Sequence, residues 1–236
     1  MCSSDLFGVL LDGRYGFEAL AQTADYPYWV GRPIELPSSR PLEFESSADV
    51  ATELATWPMN HVVKCLVCYH PDDEVDLRER QDRQLLRLFD ACRKTRHELL
   101  VEIVLPGRMP VDAHTAARAI SRVYELGVRP DWWKLEPSSS PAIWENIEHA
   151  IARGDPYCRG VVLLGLSAPQ AELVSSFIAA APFKVVKGFA VGRTIFDEVA
   201  RKWFSGAASD DAAVNGMAER LASLVSAWRH ARAEAA

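Results

Sequence analysis

The chain has 236 residues, 49% of them apolar and 25% charged, a balance that suits one large or two small packed domains and excludes a low-complexity protein. Its net charge of −6 and isoelectric point near 5.6 argue against a nucleic-acid surface as the main function, while leaving room for a local basic pocket that takes a phosphate. No apolar run reaches the roughly 18 residues that span a bilayer; residues 1–5 lack the basic and apolar regions of a signal peptide, and the five cysteines show no framework spacing, so a reducing cytoplasm is expected.

Strand-like apolar runs alternate with helical patterns along the whole chain. The runs are Leu6–Asp12, a weaker one at Arg32–Leu36 broken by Pro33, then His61–Tyr69, Glu98–Leu105, Asp131–Glu136, Gly160–Leu166 and Phe183–Gly192. Most are continuously apolar, as in a parallel sheet covered by helices. Pro27–Pro41 reads as a long loop. In the connection after the third run, Leu85, Leu88, Phe89 and Cys92 share a helical face; in the next, Ala113, Ala116, Ala117, Ile120, Val123 and Tyr124 do. Ser167 ahead of Pro169 and Gln170 is a capping pattern with proline in the first turn. The last helix carries Met217, Leu221, Leu224, Val225 and Trp228 at helical spacing. From Val62 onward the strands recur at roughly 25–38 residues, the length of a βα unit.

Repeated βα units make either a doubly wound sheet or a (β/α)8 barrel of the TIM type. Two features favour the barrel. No Gly-x-Gly-x-x-Gly follows the first strand, and polar residues recur in or at the ends of several strands, where barrel enzymes assemble their sites. With no Gly/Ser-rich linker, residues 1–236 are expected to form a single domain.

Three consecutive expected strands each carry one ionisable residue among apolar neighbours: Lys64, Glu102 and Lys134. A solitary buried charge costs several kcal/mol, roughly, unless paired. Desolvation lowers a lysine pKa and lets the amine attack a carbonyl to form a Schiff base. Two lysines and a glutamate are what such an aldolase needs: one amine for the imine, one cation beside it, one carboxylate to move the proton of the cleaved carbinol. The competing reading is a structural ion network at strand ends, with Glu136 as the simpler partner of Lys134.

Val186-Lys187-Gly188-Phe189-Ala190-Val191-Gly192-Arg193 reads as a strand running into Gly-Arg at the start of a helix near Thr194. Glycine admits close approach, the helix start offers N–H groups and arginine adds a bidentate donor, together suiting a phosphate. Gly165 and Ser167 at the end of the preceding strand extend the same cradle. Asp12 is either a ligand for a substrate hydroxyl or a helix cap. Cys65 and Cys68, three apart on a strand, face opposite sides and read as core residues. His70, Asp72 and Asp73 read as a solvated turn, with a site or metal role as the alternative. Trp132 and Trp133 face opposite sides of their strand. No metal and no cofactor is expected.

The stretches LLDGRYG (10–16), GRPIELP (31–37), HVVKCLVCYHPDD (61–73), ELLVEI (98–103), PDWWKLEP (130–137), RGVVLLG (159–165) and VKGFAVGRTIF (186–196) resemble class I aldolases of the tagatose-bisphosphate type. The resemblance is closer still to the barrel domain fused to 5-dehydro-2-deoxygluconokinase in bacterial inositol catabolism. It implies Lys134 as the Schiff-base lysine, Glu102 as proton-transfer acid/base, Lys64 as auxiliary cation, and Gly192 and Arg193 at the phosphate. The implied reaction cleaves 6-phospho-5-dehydro-2-deoxy-D-gluconate into glycerone phosphate and malonate semialdehyde. In these relatives the LLD-x-x-YG strand looks like the second of the barrel, so this chain is expected to be shortened at its N-terminus, with seven strands. The expected partners are a small sugar phosphate and, by resemblance, a kinase domain; self-association stays open, and neither nucleic acid nor membrane is expected. The alternatives are another ketose-phosphate aldolase, or a non-catalytic sugar-phosphate-binding domain that supports a carbohydrate kinase.

Overall fold

The structure is a computed structural model that describes residues 7–45, 49–165 and 168–235. Seven strands, β1 (Gly8–Leu10), β2 (Trp29–Pro33), β3 (His61–Cys68), β4 (Leu99–Val104), β5 (Trp132–Leu135), β6 (Gly160–Leu164) and β7 (Val186–Ala190), follow one another in sheet order. Helices α1 (Phe17–Gln22), α2 (Val50–Leu54), α3 (Val75–Thr95), α4 (Thr115–Glu125), α5 (Pro141–Gly154), α6 (Gln170–Ala180) and α7 (Arg193–Phe204) alternate with the strands, and α8 (Asp210–Glu234) follows. This is the α/β order expected of a TIM-type barrel with seven strands. The chain divides into two compact units, Met1–Trp133 with Ala150–Arg159, and Lys134–His149 with Gly160–Ala236.

In the first unit β1 to β4 pair in parallel, with Val30 opposite His61, Lys64 opposite Leu100 and Leu66 opposite Glu102. Alternation sorts β3 into two faces. Val63, Cys65, Val67 and Tyr69 are fully buried. Tyr69 marks their side as the helix side, because its hydroxyl donates to Asp82 of α3 at 2.8 Å. Asp82 in turn takes Arg122 of α4 at 3.0 Å. Burial, and then the Asp82 carboxylate, push the Tyr69 hydroxyl pKa up. Lys64, Leu66 and Cys68 therefore face away from α3.

Trp133 of β5 packs under α4, its indole donating to the Tyr124 hydroxyl at 2.8 Å with the rings edge-on. Gly154 closes over the same ring: a Cβ built there would lie 2.0 Å from Tyr124 Cδ2. Gly154→Ala is expected to destabilise by roughly 1–3 kcal/mol through displacement of that ring. Urea unfolding measures the effect, and an unchanged midpoint would contradict this packing.

In the second unit β6 and β7 pair in parallel with one irregularity at Val161/Val162. Phe177 of α6 stacks on Phe189 of β7 and meets Trp228 of α8 edge-on. Among the described residues, no helix is long and apolar enough to cross a membrane.

Strands three to seven lie where the apolar runs place them, to within a few residues. The second differs: it spans Trp29–Pro33 rather than Arg32–Leu36, inside a segment expected to be loop. Trp29 and Val30 supply the strand-forming side chains, and Pro33, which has no N–H, ends the ladder. On α4 the buried face is Thr115, Ala119, Ile120, Val123 and Tyr124; Ala113 precedes the helix and Ala116 and Ala117 are only half-buried. Along α8, Leu224 is buried but Leu221 is exposed. The Ser167 cap lies outside the described residues.

Candidate active site

Lys64 sits on the face of β3 turned away from α3, and the side chain is nearly enclosed. Its ammonium Nζ lies 2.9 Å from Glu102 Oε2 on β4 and 2.5 Å from Glu35 Oε1, just beyond β2. Lys64, Glu35 and Glu102 are 9%, 8% and 4% exposed. Burial alone would depress the amine pKa, but the two carboxylates and their hydrogen bonds outweigh it and hold the pKa above the ordinary lysine value. Lys64 is thus a permanent cation near neutral pH. Lys64 and Glu102 are brought together as expected.

Glu35 went unassigned in the sequence, although it carries the same signal as the other two: a charge between apolar neighbours, Ile34 and Leu36. Beyond β2 the chain leaves the regular ladder, yet Ile34 N–H still donates to the Lys64 carbonyl at 3.1 Å and Glu35 forms an isolated antiparallel bridge with Phe44. Those two ties fix the backbone beside Lys64, and Glu35 reaches its ammonium.

Lys134 lies on β5 and is 8% exposed. Its neighbours set its direction by alternation. Trp133 points to α4, and Trp132 points the other way, edge-on to Trp29 of β2 with its indole donating to Glu98. Lys134 shares the Trp132 side of the strand.

In the second unit the end of β6 meets the turn after β7. A Cβ at Gly165 would stand 3.0 Å from both Thr194 Oγ1 and Val191 Cγ1, so a side chain here would have to push these groups back by a few tenths of an ångström. Helix α7 begins at Arg193 with Gly192 as its N-cap residue and no side-chain cap, and the Gly192 carbonyl accepts from the Ile195 and Phe196 N–H groups. Arg193 is exposed at the first helical position. Gly165, Gly192 and Arg193 are thus gathered at one strand-end turn.

Asp12 closes a turn and does not cap a helix: its Oδ1 accepts from the backbone N–H groups of Arg14 and Tyr15 at 2.8 and 2.6 Å, whereas α1 begins at Phe17 with Gly16 as its N-cap residue. The turn after β3 is not the solvated one expected. His70 and Asp73 are buried, Asp73 pairs with Arg40, and the exposed Asp72 takes Arg118 through two bonds of 2.8 Å. The His70 Nδ1 accepts from Asp72 N–H while Nε2 donates to the Pro110 carbonyl, so these groups tie the turn to its neighbours. Cys65 is fully buried, and its thiol pKa is driven well above the usual range, first by burial; Cys68 is half-buried.

The family model described as "Uncharacterized protein conserved in bacteria (DUF2090)" matches residues 2–232. The chain belongs to this family. No functionally curated protein matches this DUF2090 member. Among solved structures it is similar to a fructose-bisphosphate aldolase from Plasmodium falciparum, crystallised as a ternary complex with TRAP and a small molecule inhibitor, with a TM-score of 0.69. The two are 13% identical, and the match covers 95% of this chain and 76% of that one. At that identity the likeness establishes a shared barrel-type fold for the DUF2090 chain.

Proposed function

We propose that the chain is a class I, Schiff-base aldolase, a carbon–carbon lyase working as one barrel domain. The observation that carries this reading is the clamp on Lys64. One of two buried strand lysines is held as an ammonium between carboxylates, which suits the auxiliary cation, and the family resemblance gives the nucleophilic role to Lys134. In this reading the Lys134 amine adds to the substrate ketone and water leaves, giving a protonated imine that serves as an electron sink. Glu102 takes the proton of the hydroxyl on the carbon to be cleaved. That carbon departs as an aldehyde, the bonding pair passes into an enamine, and reprotonation and hydrolysis release the ketone product. Lys64 supplies a fixed cation for oxygen atoms of the substrate, and Asp12 binds a substrate hydroxyl.

The substrate we propose is 6-phospho-5-dehydro-2-deoxy-D-gluconate, split into glycerone phosphate and malonate semialdehyde. Its ketone serves the imine, and its phosphate suits the turn of Gly165, Gly192 and Arg193. A coupled assay for glycerone phosphate tests this: turnover of that keto acid well above tagatose bisphosphate supports it, and the reverse order assigns another ketose phosphate. Arg193→Ala is expected to raise KM about 10- to 100-fold, the loss of one charge-assisted hydrogen bond, with kcat little changed. An unchanged KM would remove Arg193 from the phosphate site.

A further inference from the structure

Lys64 is held by two carboxylates where one would neutralise it. Among the described residues, the charged groups that reach its ammonium are Glu35, from the segment after β2, and Glu102, from β4. Its chain neighbour Cys65 lies on the opposite face, packed on the helix side and protonated. Two carboxylates thus meet one ammonium, in a place where all three side chains are nearly enclosed.

The second carboxylate has a use in the proposed cleavage. When Glu102 takes the hydroxyl proton it becomes neutral, and its ion pair with Lys64 is lost. A buried ammonium left beside a neutral acid is costly. Glu35 is the counter-charge still in contact, through a hydrogen bond that does not involve the reacting carboxyl.

We propose that Glu35 is a positioning residue that keeps Lys64 an ammonium, in one place, while Glu102 alternates between its ionised and neutral forms. The catalytic half of this assignment rests on the aldolase reading; the clamp itself does not. Glu35 touches no reacting atom in this scheme and acts through Lys64.

Lysine side-chain NMR on the full-length chain, with the Lys64 signal assigned by its disappearance in Lys64→Arg, reads the clamp without any substrate. In the wild type the signal stays that of a charged amine past the ordinary lysine midpoint of about 10.4. In Glu35→Gln burial is opposed by one carboxylate only, and the midpoint falls by at least about one unit. Glu35→Asp keeps the charge but retracts it by one methylene; it gives a smaller fall and carries the test if the glutamine variant does not fold. In the cleavage assay Glu35→Gln gains an alkaline limb in kcat that the wild type lacks, at nearly unchanged KM, a signature that simple loosening of the fold does not produce. A Lys64 midpoint that is unmoved in both variants overturns the clamp whatever the activity. A midpoint that moves in a protein cleaving no keto sugar phosphate upholds the clamp and overturns the catalytic half together with the aldolase reading.

Discussion

Lys134→Met is expected to lower kcat for cleavage on the order of 10⁴-fold or more, the scale seen when a covalent nucleophile is removed. Methionine keeps the length of the side chain at a position only 8% exposed. Lys134→Arg should be as inactive, because a guanidinium that stays protonated cannot form an imine. Lys64→Arg, by contrast, keeps a cation between Glu35 and Glu102 and should retain measurable turnover. Circular dichroism and urea unfolding establish that each variant is folded before its rate is compared. A Lys134→Met protein within about tenfold of wild-type kcat would remove this lysine from the chemistry.

Lys64→Met should produce the largest loss of stability of any single change at the site. It strips the shared cation from two enclosed carboxylates that both lie within hydrogen-bond reach of one nitrogen. Breaking such a group by removing one member costs roughly 3–5 kcal/mol, because two enclosed carboxylates lose the counter-charge they share. The pH dependence follows from the same geometry. In the variant, protonating one carboxyl relieves the repulsion. A folded-state carboxyl pKa raised above its unfolded value of about 4.3 gives stability that is present at low pH and lost as pH rises through the folded value. The variant should therefore recover stability on mild acidification. In the wild type the raised Lys64 pKa works in the opposite range: its contribution is complete below the unfolded value of about 10.4 and is lost as pH rises through the higher folded value. Urea midpoints across pH measure both. A Lys64→Met protein as stable as wild type at neutral pH would mean that the two glutamates are not ionised there.

The strands from His61 onward were legible because a parallel strand buried on both faces leaves an unbroken apolar run, bounded by helices of clear periodicity. The second strand was not, because proline and arginine dilute the apolar signal and the pairing partners that decide it, β1 and β3, are distant in sequence. The same limit governs the site. Charged residues among apolar neighbours singled out Lys64, Glu102 and Lys134, but the sequence left open whether they face a site or form an ion network at the strand ends. What touches Lys64 was not readable: Glu35 is 29 residues away and enters only because β2 ends at Pro33 and the chain turns beside β3. Likewise the turn at His70 looked polar enough to be solvated. Its hydrogen bonds to Pro110, Asp72 and Asp73 are made by folding and have no local signature. The turn at Gly192 and Arg193 was visible because a strand-to-helix junction carries its own local signal, glycine before the first helical residue.

The central claim is an imine on Lys134, and the direct measurement is borohydride reduction during turnover with the phosphorylated keto acid, followed by peptide mass analysis. The account predicts a reduced adduct carrying the mass of the substrate-derived ketone on Lys134, absent without substrate, with Lys64 unmodified. Active cleavage with an unmodified Lys134, or an adduct on Lys64 in its place, would contradict it.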